Sequence, residues 1–282
     1  MDKLISIIVP IYNRFLHADR AIASIVNQTY SNWELFVVDD ASIDTYKIPE
    51  FCNGSLKNIT LLRNEKNLGP GLSRQKGKDL AKGEYICFLD SDDFWKPDFL
   101  LESLKVHEVN PDLAATYCQS EMTDGSLRRR NNIEDSVDDI FYGVVSGVRP
   151  WATCSLMWNI KYLAKWNAIR TNQDALFELE TAVKNHRIKM IPLILCIIDK
   201  ETGNNAQNMV GVGNGNINRT KVLLSAMKIF KFYTGNNINR IKIALWYSLY
   251  VQMKKMIKQY EMYLAARVAI SLIYRIHWTF SS

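Results

Sequence analysis

Four short segments hold side chains able to do chemistry. "LDSDD" (89–93) places Asp90 and Asp92 either side of Ser91 after an apolar run. Hard divalent cations take oxygen ligands, and magnesium typically takes one or two carboxylates plus substrate phosphates. Such a turn suits a metal–diphosphate complex; a merely solvated acidic turn is the alternative. "VVDDAS" (37–42) offers Asp39, whose carboxylate could accept hydrogen bonds from a ribose or a pyrimidine N–H, or else cap the next segment. "VPIYN" (9–13) sets Tyr12 just past an apolar run, where its ring could stack on a flat base or simply make a turn. In "TNQDALFELE" (171–180), Asp174 falls near the positive N-terminal end of a predicted helix, where the helix dipole favours an acid.

The pattern around these segments predicts what positions them. Apolar runs at 4–10, 33–40, 58–64 and 84–93 read as strands. Segments 13–28, 69–83 and 96–110 read as helices, the last with Pro97 in its first turn. Strands alternating with helices predict an α/β fold with a parallel, doubly wound sheet, whose ligands bind beyond the carboxyl ends of the strands. The segments holding Tyr12, Asp39 and Asp90 are all such ends. Further on, 113–120 reads as a strand, 121–148 as a solvated loop with a short helix, 172–187 as a helix, 189–199 as a last strand, and 200–216 as a long polar loop. Trp151, in the aromatic-rich stretch before residue 166, could stack on a sugar or pack in the core.

Composition bounds the rest. Of 282 residues, 48% are hydrophobic and 23% charged, which excludes disorder and allows a sizeable core. Five isolated cysteines with no C-x-x-C pair argue against a zinc site and a disulfide framework. The opening Met-Asp-Lys lacks the pattern of a secretory leader, and no uninterrupted apolar run is long enough to span a bilayer. The net charge of +6 is uneven. Residues 213–282 hold eleven Lys/Arg and one acid, Glu261, hence +10; the other 24 Lys/Arg and 28 Asp/Glu leave −4. The basic tail has helical periodicity, with Leu245, Leu249, Met253, Met256 and Ile257 on one face of a helix over 239–260, and a second helix over 262–278.

Taken in order, "SIIVPIYNR", "WELFVVDDAS", "NLGPGLSRQKG" and "EYICFLDSDDFWKPDFL" resemble the inverting family-2 glycosyltransferases with the GT-A fold. The likeness is dense over the first 110 residues and thin to about 210. It implies a Rossmann-like, mostly parallel sheet flanked by helices, ending in the basic helical tail. Residues 1–212 would be the catalytic domain (1–110 for the nucleotide, 111–212 for the acceptor) and 213–282 the amphipathic C-terminal region. It further implies that Pro10 and Tyr12 line the base pocket, Asp39 contacts the base, Arg74 contacts the donor, and Asp90-Ser91-Asp92 is the D-x-D analogue. There Asp90 would face the donor and Asp92 would be the metal ligand, for Mn2+ or Mg2+. Asp174 matches the family's base. The chain departs from the family pattern at Gln75, at Gln173, and after Asp199, where no histidine follows.

The implied activity is metal-dependent transfer from a nucleotide diphosphate sugar, a UDP-sugar first, to a saccharide or lipid-linked saccharide in bacterial surface polysaccharide synthesis. A non-catalytic sugar-nucleotide binder or membrane scaffold is the alternative reading. A sugar-phosphate nucleotidyltransferase would need a Gly-rich basic loop where "PIYNR" stands. The tail suggests peripheral contact with the inner membrane face from the cytoplasm; covering the body or dimerisation are the other readings, and no nucleic-acid module is present.

Overall fold

A computed structural model describes residues 2–127, 137–168, 172–199, 212–235 and 238–258. The Arg128–Arg130 run, residues 200–211 of the polar segment and the predicted helix 262–278 lie outside them.

Strand β1 (Ile5–Ile11) is buried along its whole length. Its odd residues Ile5, Ile7, Val9 and Ile11 enter one apolar cluster, and Ile8 enters the other. Side chains alternate across a strand, so a strand buried on both faces must be apolar throughout. β1 pairs in parallel with β2 (Trp33–Asp39) and β4 (Tyr85–Phe88), and β2 pairs in parallel with β3 (Ile59–Arg63). The crossovers are α1 (Phe15–Val26), which buries Ala18, Ala21, Ile22 and Ile25 at helical spacing, and α2 (Pro70–Leu80).

The sheet continues beyond β4 with β7 (Leu156–Asn159), β6 (Ala115–Met122), β8 (Ile188–Ile198) and β5 (Phe94–Trp95), in the order β3-β2-β1-β4-β7-β6-β8-β5. β7 runs antiparallel to β4 and β6, and β5 antiparallel to β8, while β6 and β8 are parallel. The result is a mixed α/β fold with a mostly parallel sheet flanked by helices.

Several sequence expectations are corrected. The strand expected over 84–93 stops at Phe88, and Asp93 N–H closes a turn onto the Asp90 carbonyl at 3.0 Å. That break frees Asp90 and Asp92 from the ladder. Pro97 precedes α3 (Phe99–Val109) instead of entering its first turn. The last part of the stretch read as a solvated loop is core: α4 (Ile140–Ser146) buries Ile140, Phe141, Gly143, Val144 and Val145. Its cap is Asp139, which accepts from Tyr142 N–H at 2.9 Å and from the Tyr233 hydroxyl. α5 (Gln173–Lys184) occupies the place expected of it, and Trp151 is fully buried between these helices and β6.

α6 (Val212–Ile229) starts inside the segment read as loop, and α7 (Ile238–Lys258) follows. Val222, Leu223 and Ala226 of α6 and Ile241, Leu245 and Leu249 of α7 join the same cluster as α4 and α5. This part of the basic tail is packed against the body. Among the described residues no helix is long and apolar enough to cross a membrane. The five cysteines are buried and free.

Candidate active site

The parallel register places the carboxyl ends of β1, β2 and β4 side by side. Ile11 lies opposite Asp39, and Leu89 N–H reaches the Ile8 carbonyl at 3.0 Å. Pro10 is buried in β1 opposite Val38, and Tyr12 emerges immediately beyond, 44% exposed. The three ends therefore form one rim, as expected of a sheet with this strand order.

The turns on this rim are tightly specified. Asn13 and Ala41 have φ of +55° and +61°, a region that costs an L-residue with a Cβ energy and is kept only where the surroundings enforce it. Asn13 N–H donates to Ser42 Oγ at 2.9 Å, and Ile43 N–H donates to Asn13 Oδ1 at 2.8 Å, so the β1 and β2 turns brace each other. Asp39 is buried; it accepts from Ser42 N–H at 2.9 Å and pairs with Arg63 at the end of β3.

Asp40 has a different task. Its carboxylate accepts from Leu68 N–H at 2.9 Å, Gly69 N–H at 2.8 Å and Asn64 Nδ2 at 2.7 Å. Gly69 has φ of +88° where the chain turns into α2, with Pro70 in the first turn. Asp40 thus ties down the loop that aims α2, and sequence pattern alone did not separate it from Asp39.

The acidic turn is laced with arginine. Asp90 pairs with Arg74 of α2, and Asp92 pairs with Arg14 at 2.8 Å. Arg20 of α1 donates to the Asp92 carbonyl at 2.7 Å and pairs with Asp199 at the end of β8. Asp199 N–H in turn donates to Asp93 at 3.1 Å. Burial, reinforced by the charges of Asp90 and Asp92, pushes the Asp93 carboxyl well above the usual carboxylate value. The sequence reading missed Arg14, Arg20, Arg63 and Asp199, because nothing local marks an arginine whose partner lies on another strand.

Arg74 also reaches the segment that precedes α5. Its guanidinium lies over the Trp166 ring at 4.7 Å, and Trp166 N–H donates to Gln75 Oε1 at 2.8 Å. Arg74 Nε is buried with no hydrogen-bond partner among the described residues. A Cβ on Gly71 would lie 2.1 Å from Gln173 Oε1, so α2 and α5 approach closely there.

Asp174, in the first turn of α5, pairs with Arg149 at 2.6 Å and keeps 28% of its side-chain exposure. Burial pushes its carboxyl up, but the Arg149 charge and hydrogen bond, with the field of Arg74, outweigh this and hold it below the usual value. Arg149 is shared: it also pairs with Glu178 at 2.5 Å, and Glu178 accepts from Trp151 Nε1 at 3.1 Å. Burial pushes Glu178 up to about 7, and the Asp174 charge adds to that.

Among the described residues no set of three His, Cys, Asp or Glu converges as cation ligands. The donors Asp90 and Asp92 match a magnesium- or manganese-type ion that completes its shell with phosphate oxygens. Each of the two is engaged by an arginine, Asp92 by Arg14 and Asp90 by Arg74.

The profile of Glycosyl transferase family 2 matches residues 6–167, more than half of the chain. The chain belongs to this family. The match takes in β1 to β4, the acidic turn and Trp166, and ends just before Asp174. This family-2 chain is 44% identical over 96 residues to the Escherichia coli UDP-Glc:alpha-D-GlcNAc-diphosphoundecaprenol beta-1,3-glucosyltransferase WfgD, covering 33% of this chain and 37% of that protein. The aligned segment is thus well under half of that relative's length. The crystal structure of S. aureus TarS 1-349 in complex with UDP-GlcNAc aligns with a TM-score of 0.67 and 17% identity, over 84% of this chain and 69% of that one. The mannosyltransferase PcManGT from Pyrobaculum calidifontis, in complex with GDP-Man and Mn2+, aligns with a TM-score of 0.60 and 16% identity, over 99% and 83%. The fold is that of these GT-A glycosyltransferases.

Proposed function

We propose that this chain is a metal-dependent, inverting glycosyltransferase. It moves a sugar from a UDP-sugar to a saccharide or lipid-linked saccharide acceptor in bacterial surface polysaccharide synthesis. One observation carries the reading: the ends of β1, β2 and β4 in a family-2 domain gather an aromatic ring, a buried carboxylate and an arginine-laced acidic turn on one rim. The UDP-glucose relative and the UDP-GlcNAc-bound structural neighbour favour uridine over guanosine.

In this reading Pro10 and Tyr12 line the base pocket and Asp39, held by Arg63, accepts from the base. Arg74 contacts the donor, and Asp90 with Ser91 contacts the ribose or sugar. Asp92 would hold the Mn2+ or Mg2+ ion. When bound, that ion neutralises charge on the diphosphate leaving group. Asp174, kept ionised by Arg149, accepts the proton of the attacking acceptor hydroxyl, and direct displacement inverts the anomeric centre. Residues 1–212 form the catalytic unit and 213–282 the basic region, whose first two helices cover α4 and α5.

A panel of UDP- and GDP-sugars tested for slow donor hydrolysis, with Mn2+, Mg2+ or a chelator, tests this without knowledge of the acceptor. Release of UDP from one UDP-sugar that stops with chelator is expected. Hydrolysis that prefers a GDP-sugar, or ignores the chelator, contradicts it.

A further inference from the structure

We infer that the outer face of α7 docks on the surface of an anionic phospholipid membrane. α7 is apolar on two sides. Inward it buries Ile241, Leu245 and Leu249. Outward it shows Ile243 (70% exposed), Tyr247 (67%) and Tyr250 (45%), whose spacing of four and three residues makes one stripe. A helix that only covers a core has a polar outer face. Its sequence also contains Arg240, Lys242, Lys254, Lys255 and Lys258 and no acid. Arg240 lies over the Tyr142 ring at 4.5 Å and Lys254 over the Tyr250 ring at 4.6 Å. Between α4 and α7 the stripe borders an open, shallow cleft of about 410 Å³, lined by Tyr142, Val148, Arg240, Ile243 and Tyr247 among others.

Charge selects the occupant. A second copy meeting this face isologously would bring the same cations together, with like charges opposed. The chain's own segment 259–282 has Arg267 and Arg275 against a single acid, Glu261, so it offers no compensating charge. A bilayer with anionic headgroups supplies both requirements: tyrosines and aliphatic side chains enter the interface while lysines and arginines meet the headgroups. Val148, on the rim of the cleft, immediately precedes Arg149, the clamp on Asp174. The face therefore adjoins the helix assigned to the acceptor side, although the inference does not depend on the catalytic reading.

The test is co-sedimentation of the full chain with phosphatidylcholine vesicles, with and without phosphatidylglycerol. Wild type should bind only the anionic vesicles, and less as salt rises. In Arg240→Gln/Lys242→Gln/Lys254→Gln the affinity should fall roughly a hundredfold, from about fivefold per charge near the surface. Ile243→Ser/Tyr247→Ser should weaken binding with the charges intact. These side chains are largely exposed, so melting temperatures should stay close to wild type. Equal binding to neutral vesicles, or undiminished binding of the triple variant, overturns the inference. So does loss of binding confined to Arg267→Gln/Arg275→Gln. A wild-type dimer that the Ile243/Tyr247 variant dissociates would overturn it in favour of a subunit interface.

Discussion

Glu178→Gln tests how Arg149 is shared between two carboxylates. The Glu178 side chain is 2% exposed, and burial raises its carboxyl from 4.5 to about 7 despite Arg149 and Trp151. In the unfolded chain it titrates near its ordinary value. Between the two values the folded state binds the extra proton, so this group's contribution to stability is full below about pH 4.5 and is lost as pH rises to about 7. The whole effect amounts to about 3 kcal/mol, of which about 1 kcal/mol falls between pH 6 and pH 8. Glutamine keeps the shape but has one acceptor oxygen where Arg149 and Trp151 use two, a cost that does not vary with pH, and it does not ionise. Urea midpoints of both proteins at pH 6 and pH 8 should show the variant gaining about 1 kcal/mol on wild type over that interval. A stability difference that is constant with pH would refute the reasoning. Such a constant difference would mean the Arg149 ion pair, and not burial, dominates at Glu178, because the carboxyl would then be ionised in both states throughout the interval.

Three further outcomes follow from the same contacts. Asp40→Ala removes the acceptor of Asn64 Nδ2, Leu68 N–H and Gly69 N–H; it should cost at least about 2 kcal/mol in denaturant unfolding and weaken UDP binding by releasing the start of α2. Gly77→Ala would put a Cβ 2.8 Å from Ile8 Cγ2, so thermal unfolding should report a loss of about 1–3 kcal/mol. Asp174→Asn should leave UDP affinity unchanged while turnover drops about 10²–10⁴-fold, which a coupled UDP-release assay with acceptor would read.

Much of the donor half could be read from the sequence because its signals are local. The continuous apolarity of β1 reflects burial on both faces, and the acids after β2 and β4 mark strand ends. What the sequence hid depends on distant partners. α4 looked solvated because its flanks are charged, yet Asp139 is buried against Tyr233, which lies 94 residues away. β7 escaped notice because four residues in an aromatic-rich stretch have too short a period to read. Asp39 ends β2 and pairs with Arg63, while Asp40, just past the strand, is held by Asn64 and backbone N–H groups; two adjacent aspartates in the sequence carry no sign of that difference. Trp151, open between sugar stacking and core packing, is core, and its indole N–H holds Glu178. Arg149 gave no local sign, since its role exists only once α5 is packed beside it.

The central claim is that the rim of β1, β2 and β4 binds a uridine diphosphate with a divalent cation. Calorimetric titration of UDP into the wild-type chain with Mn2+ measures it directly, alongside Asp39→Asn and Asp92→Asn. The account predicts saturable binding that the Asp39 variant weakens with or without metal, and a Mn2+-dependent gain that the Asp92 variant loses. UDP binding indifferent to both substitutions, or absent from the wild type, would contradict it.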